Sequence, residues 1–139
     1  MAEDTQSFVI DASVAAKWFL PERDTQKALA LRDGHLSGRL TLYAPALAIY
    51  EVANALRYRP DLVEADLEKD IEALMSFDLA FVVPSSKSVA RATLMARKLG
   101  ITVYDAVYLE LADDIGCQLV TADEELAEKA RGTARVSLL

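Results

Sequence analysis

The sequence is short of sulfur, imidazole and positive charge. One cysteine, Cys117, and one histidine, His35, occur in 139 residues. A lone cysteine cannot close an internal disulfide. Cys117 stands in an apolar run, is expected to be an inert buried thiol, and is compatible with a reducing cytosol. His35 lies in a Gly-flanked stretch with no second histidine, which argues against a histidine-based ribonuclease mechanism. No apolar run approaches the ~18 residues that would cross a membrane. Met1 to Ser7 is polar and carries Glu3 and Asp4, the wrong sign for a secretory leader, so a cytoplasmic protein is expected. The formal charge is -7 and the pI about 4.7. Taken alone, that balance argues against a nucleic-acid-binding surface, because such domains are usually basic. Internal repeats, linkers and low-complexity segments are also missing.

What is present is a core. Hydrophobic residues make up 53% of the chain, above the usual ~45–50%. A chain of this length suits one domain, spanning residues 1–139. It can bury about 68–70% of its unfolded surface without metal or disulfide staples. Short apolar runs alternate with helical patterns. Strands are expected at Phe8–Ile10, around Leu40–Tyr43, at Leu79–Val83, at Cys117–Thr121 and at Arg135–Leu138. Helices are expected at Ala12–Leu20 with Val14 and Trp18 inward, at Glu22–Arg32, from Pro45 through Leu56, from an Asp61 cap onward, from a cap at Ser85 or Ser86 to Leu99, from Thr102 to Ile115, and after Asp123. Asp33-Gly34 and Ser37-Gly38 read as turns. The Leu47–Leu56 segment is apolar over most of its circumference and is expected to be buried. Alternation of this kind implies an α/β fold with a mainly parallel sheet covered on both faces.

Four of the 22 acidic residues stand apart. Asp11 ends the first strand, where open α/β sheets collect their ligands. Asp123 follows the fourth strand, on the same sheet edge if the strands are parallel. Asp105 opens a helix. Each has a structural explanation: Asp is a favoured N-cap, and Thr102 to Asp105 is spaced as a capping box. Glu51 is harder to explain that way. It lies mid-helix between Ile49-Tyr50 and Val52-Ala53, and a carboxylate so placed is costly to desolvate without a partner. Four converging acids would repel one another and raise a pKa in the absence of a cation. Mg²⁺ or Mn²⁺ resolves this, since such ions take oxygen ligands, keep several waters and bind few carboxylates plus phosphate oxygens. Ser13 and Thr121 can orient carboxylates or a water, or simply satisfy helix ends. Asn54, three residues after Glu51 on the same helix face, is a candidate support for it.

At these residues the chain resembles a known family. Asp11-Ala12-Ser13, Glu51 with Asn54, Tyr104-Asp105-Ala106-Val107-Tyr108-Leu109 and Thr121-Ala122-Asp123 are similar to the motifs of PIN domains. The segment from Val9 to Glu22 resembles the opening of VapC-type toxins. The resemblance covers nearly the whole chain in order, and it is the ordered set that is specific. It implies a three-layer α/β/α fold around a mainly parallel sheet and a metal-dependent endoribonuclease activity. It also implies that Asp11, Glu51, Asp105 and Asp123 line a Mg²⁺ or Mn²⁺ site, with Ser13 and Thr121 as polar helpers. The partners it implies are an RNA substrate, a small antitoxin and a second copy of the chain.

On that reading, part of the negative charge is the site itself, and RNA contacts need local cations. Lys17, Arg23, Arg57, Arg59 and Arg91 are the candidates. Trp18, Phe19 and Leu20 are candidates for an exposed dimer surface, or else for the core. Two other acid-based phosphate folds fit less well. A receiver domain wants an acid pair after the first strand, and a haloacid-dehalogenase-like phosphatase wants a second Asp at position 13, where Ser stands. Neither explains Glu51. A catalytically silent PIN-like domain, kept as an RNA-binding or assembly module, is the remaining alternative.

Overall fold

The computed structural model describes residues 5–132 and 135–139. Glu3 and Asp4, used above against a secretory leader, lie outside the described residues. The elements run β1 (Gln6–Ile10), α1 (Ala12–Ala15) tightening into a 3₁₀ turn (Ala16–Trp18), α2 (Thr25–Leu36), β2 (Leu40–Pro45), α3 (Leu47–Leu56), α4 (Glu64–Ser76), β3 (Ala80–Val82), α5 (Ser86–Leu99), α6 (Val103–Ile115), β4 (Gln118–Thr121), α7 (Glu124–Lys129) and β5 (Val136–Leu138). The strands form one sheet in the order β3-β2-β1-β4-β5. Every pairing is parallel. All the strands therefore end on one edge, and β1 and β4, which precede Asp11 and Asp123, are neighbours in register, with Ile10 opposite Val120.

Both faces of the sheet are buried, as its near-continuous apolar strands require. Ile10, Leu42 and Val120 pack with Val14, Trp18, Val52, Leu56 and Leu74 on one side. Val9 and Leu119 pack with Tyr108, Leu109, Ala112 and Leu126 on the other. The result is a three-layer α/β/α arrangement. Among the described residues, no helix is long and apolar enough to cross a membrane.

Several local expectations are corrected. Asp33-Gly34 is not a turn but the third turn of α2. Gly34 is there because a Cβ would stand 2.8 Å from the Leu40 side chain, so the strand packs directly on helix backbone. Pro45 closes β2 rather than opening α3, and Val63, not Asp61, precedes α4. Helix α3 is only half buried: Ala48, Val52 and Leu56 face inward, but Tyr50 is 75% exposed. The helix after β1 is shorter than Ala12–Leu20 because it tightens into the 3₁₀ turn before Pro21. Gly116 ends α6 with φ +81, the left-handed turn that returns the chain to β4. Trp18 is core, donating its indole N–H to the Ala28 carbonyl at 2.8 Å, and Phe19 stacks on Phe77. Phe19 and Leu20 are only partly buried, and Leu20 lines an open groove.

His35 lies in the last turn of α2 and is structural. Its Nδ1 accepts the Leu42 backbone N–H at 3.1 Å, and its Nε2 faces the Phe77 carbonyl at 3.0 Å. One imidazole thus ties α2, β2 and the end of α4 together.

Candidate active site

Asp11 follows the last residue of β1 and caps α1, its side chain accepting the Val14 N–H. The cap is the smaller part of its environment. Ser13 Oγ donates to Asp11 Oδ1 at 2.5 Å, and Thr121 Oγ1 donates to Oδ2 at 2.5 Å. Thr121, at the end of β4, is fully buried and Asp11 is 7% exposed. The two hydroxyls are themselves held: Ser13 Oγ accepts the Ala122 N–H at 3.0 Å, and Thr121 Oγ1 accepts the Asp123 N–H at 3.0 Å. A closed set of hydrogen bonds therefore joins the β1 and β4 ends and fixes one carboxylate by both oxygens. Asp123, exposed at the head of α7, caps that helix through the Leu126 N–H.

The other acids arrive on helices. Asp105 sits in the first turn of α6, its N–H held by the Thr102 cap at 3.1 Å, and with Asp123 it lines a cleft of about 340 Å³. Glu51 is carried by α3 and lines a larger groove of about 880 Å³, together with Asn54, Tyr58 and Arg59. Its partner is Tyr108, whose hydroxyl donates to Glu51 Oε1 at 2.6 Å. Tyr108 lies one turn after Asp105 on α6. Tyr108 belongs to the Tyr104–Leu109 motif but is not among the residues that the sequence assigns to the site. The available signal was its spacing from Asp105, together with the need of a buried tyrosine for a polar partner. Asn54 is exposed and accepts from Arg57 Nε at 2.7 Å, so its side chain is engaged away from Glu51.

The acids act on one another. Burial pushes the Asp11 carboxyl above the usual carboxylate range, against the pull of the Ser13 and Thr121 hydroxyls, and Asp123 adds repulsion. Burial also raises Glu51, opposed by the Tyr108 hydrogen bond and reinforced by Asp105 and Asp11. Asp105 is raised by burial first and by Asp123 second. Among the described residues, no lysine or arginine nitrogen lies within 4.0 Å of any of the four. Lys129 lines the cleft with Asp105 and Asp123 and eases Asp105, but it closes no ion pair with them; the remaining repulsion of oxygen donors suits a hard divalent ion. Among the described residues, no three such side chains form a closed ligand cluster. A hard divalent ion that keeps several waters needs few carboxylates at once.

The proposed RNA-contacting cations fare unevenly. Lys17 is buried and paired with Glu22 at 3.1 Å. Arg59 joins Asp70 at 3.2 Å and the Phe19 carbonyl at 2.6 Å. Arg91 is held by Asp113 at 3.2 Å, far along α6. These three are structural. Arg23 is 90% exposed beside Asp24, and Arg57 lies over the Tyr58 ring at 4.2 Å, one helical turn beyond Asn54.

Comparison with known proteins agrees with this architecture. The PIN domain profile matches residues 8–132. The chain is 39% identical over 125 residues to Ribonuclease VapC3 of Pyrobaculum aerophilum, covering 87% of this chain and 92% of that protein. The crystal structure of PAE2754 from the same organism superposes with a TM-score of 0.66 at 28% identity, covering 95% of this chain and 91% of that one. A chain of a toxin-antitoxin complex from Klebsiella pneumoniae shares the fold, with a TM-score of 0.69 at 15% identity and coverage of 93% and 94%.

Proposed function

This chain belongs to the PIN domain family, and from that premise we propose that it is a metal-dependent endoribonuclease that hydrolyses RNA phosphodiester bonds. Asp11, Glu51, Asp105 and Asp123 form its acid site. The observation that carries the reading is Asp11, a buried carboxylate fixed by two hydroxyls on a strand-end edge that other acids share. A side chain kept charged-capable at that desolvation cost, with no protein cation beside it, is kept for an external one.

Asp11, Glu51, Asp105 and Asp123 would hold Mg²⁺ or Mn²⁺. When bound, such an ion supplies charge neutralisation at the phosphate and a more acidic water. The chain's own residues do the rest. Ser13 and Thr121 fix the Asp11 carboxylate, so its orientation need not be bought from binding energy at each turnover. Asp105 and Asp123, each at a helix start, present oxygens to the cleft they share. Glu51, half exposed and tied by one oxygen, can accept a proton from a water with the other. The groove beside Glu51 is large enough for nucleotides, and Arg57 at its flank supplies a positive charge for a phosphate.

The relatives support a biological setting for this activity. The VapC3 relative is a ribonuclease by name, and the Klebsiella pneumoniae fold relative is part of a toxin-antitoxin complex. We assign this chain the toxin role, with a small antitoxin as its inhibitor, acting as a single domain and as a homodimer in the cytoplasm. The test is incubation of the purified protein with mixed single-stranded RNAs in Mn²⁺, Mg²⁺ or EDTA, beside Asp11→Asn. Cleavage that needs the ion and Asp11 is expected. Cleavage that persists in EDTA or in the variant would reject the mechanism. No cleavage of any RNA and no metal binding would return the chain to a silent binding module.

A further inference from the structure

Glu51 is the acid the fold controls least by its own position. It projects from the middle of α3, half exposed, on a side chain with three rotors. Asp11 is clamped at a strand end, Asp123 caps α7 through the Leu126 N–H, and Asp105 has a short side chain in the first turn of α6. Without a tether, Glu51 would spend its time in the groove solvent rather than toward the other acids.

The tether is Tyr108. Its side chain is 2% exposed and packs in the core layer with Val9, Ala44, Ala48 and Leu119, so the ring has no freedom to follow Glu51. The hydroxyl is fixed by the core, and Glu51 comes to it at 2.6 Å. The same hydroxyl meets the backbone of Ala12, the residue after Asp11. One phenol oxygen therefore touches the element that follows Asp11 and the side chain of Glu51, from a position one turn past Asp105. It engages only Oε1. Among the described residues, Glu51 Oε2 has no hydrogen-bond donor, which leaves one oxygen turned loose for a ligand.

We infer that Tyr108 is a positioning residue that holds Glu51 in the acid site, and that it sets the affinity of the site for its divalent ion. The inference rests on the metal-nuclease reading above. The competing explanation is that a buried tyrosine merely found an acceptor. The two differ in what the hydroxyl controls: ion affinity through Glu51, or only the stability of the core.

The experiment compares wild type, Tyr108→Phe, Glu51→Gln and the double variant. Three quantities are read: the Mn²⁺ midpoint for cleavage of a single-stranded RNA, Mn²⁺ binding by calorimetry, and the melting temperature in EDTA. Outer groups that orient a metal ligand typically change affinity by about 10–100-fold. Tyr108→Phe is expected to raise the Mn²⁺ midpoint by roughly that factor, to recover most of its kcat at saturating Mn²⁺, and to add nothing in the Glu51→Gln background. A Mn²⁺ midpoint and binding constant within about twofold of wild type would overturn the inference and leave the nuclease reading standing, whatever happens to the melting temperature. An additive loss in the double variant would overturn it equally. A wild type that neither binds Mn²⁺ nor cleaves RNA would remove the reading itself, and the inference with it.

Discussion

Helix α6 contributes to two acidic clusters, and they are resolved in opposite ways. Near its C-terminal end, Glu110, Asp113 and Asp114 surround one guanidinium: Arg91 of α5 meets Asp113 at 3.2 Å and Glu110 and Asp114 at 4.0 Å. Glu110 is 6% exposed; burial and then Asp114 push its carboxyl up, and Arg91 offsets part of that rise. At the N-terminal end, Asp105 and Asp123 line one cleft with Lys129 at its rim but in no ion pair with them, while Asp11 is held by two hydroxyls and the Val14 N–H and Glu51 by one hydroxyl. The first cluster has its cation built into the chain. The second has neutral donors that orient carboxylates without neutralising them. The difference separates an ion pair that joins two helices from a site kept open for something positive from outside. A count of acids would not have told them apart.

Changes to the open cluster should be felt in chemistry, and changes to the closed one in stability. The largest effect is expected from Asp11→Asn. Asn can still cap α1, so folding by circular dichroism should be retained, while cleavage falls on the order of 10³-fold or more, the several kcal/mol that a metal's charge stabilisation is worth. Thr121→Val comes next. It removes a donor to Asp11 and an acceptor for the Asp123 N–H. Cleavage should drop about 10–100-fold, and chemical denaturation should show a loss of about 1–3 kcal/mol for the buried groups left unpaired.

Metal and pH are linked with a definite sign. Asp11, Glu51 and Asp105 are all pushed up, so the metal-free folded protein keeps these protons to higher pH than the unfolded chain does. Its stability from these groups is therefore greatest at acid pH and falls as pH rises through their raised pKa values. Mn²⁺ competes with those protons. The rise in melting temperature on adding Mn²⁺ should be small near pH 5 and largest near pH 8, reaching about 5–11 °C for an ion at ~100-fold over its Kd. Asp11→Asn should show little of it.

The smallest effect belongs to the closed cluster. Arg91→Ala should cost about 0.2–1 kcal/mol, since the arginine is partly solvated, and should leave kcat/KM and the Mn²⁺ increment unchanged. A large loss of cleavage in that variant would erase the distinction between the two clusters.

The fold was legible because its signals are local. Apolar runs that stop at Asp11 and Asp123, a serine cap at Ser85 or Ser86, the Thr102 cap and the Gly116 exit can all be read within a few residues. Four acids could be picked from the sequence for the same reason, since each sits at an element boundary or in an apolar helix. Partners that meet across the chain were not readable. Lys17 and Arg91 were offered as RNA contacts because Glu22 and Asp113 cannot be assigned to them by spacing. Asn54 was set beside Glu51 on helical periodicity, but Arg57 claims it. Tyr108 and Glu51 are 57 positions apart, and only the packing of α6 on the sheet brings them together. Gly34 was read as a turn because nothing local reveals that Leu40 occupies the space of its missing side chain.

The central claim is that the Asp11 cluster lacks a cation of its own and takes one from solution. Calorimetric titration of the purified protein with Mn²⁺, beside Asp11→Asn and Arg91→Ala, tests it most directly. The account predicts saturable binding in the wild type and in Arg91→Ala, and its loss in Asp11→Asn with the fold intact. Binding that survives in Asp11→Asn, or an absence of binding in the wild type, would contradict it.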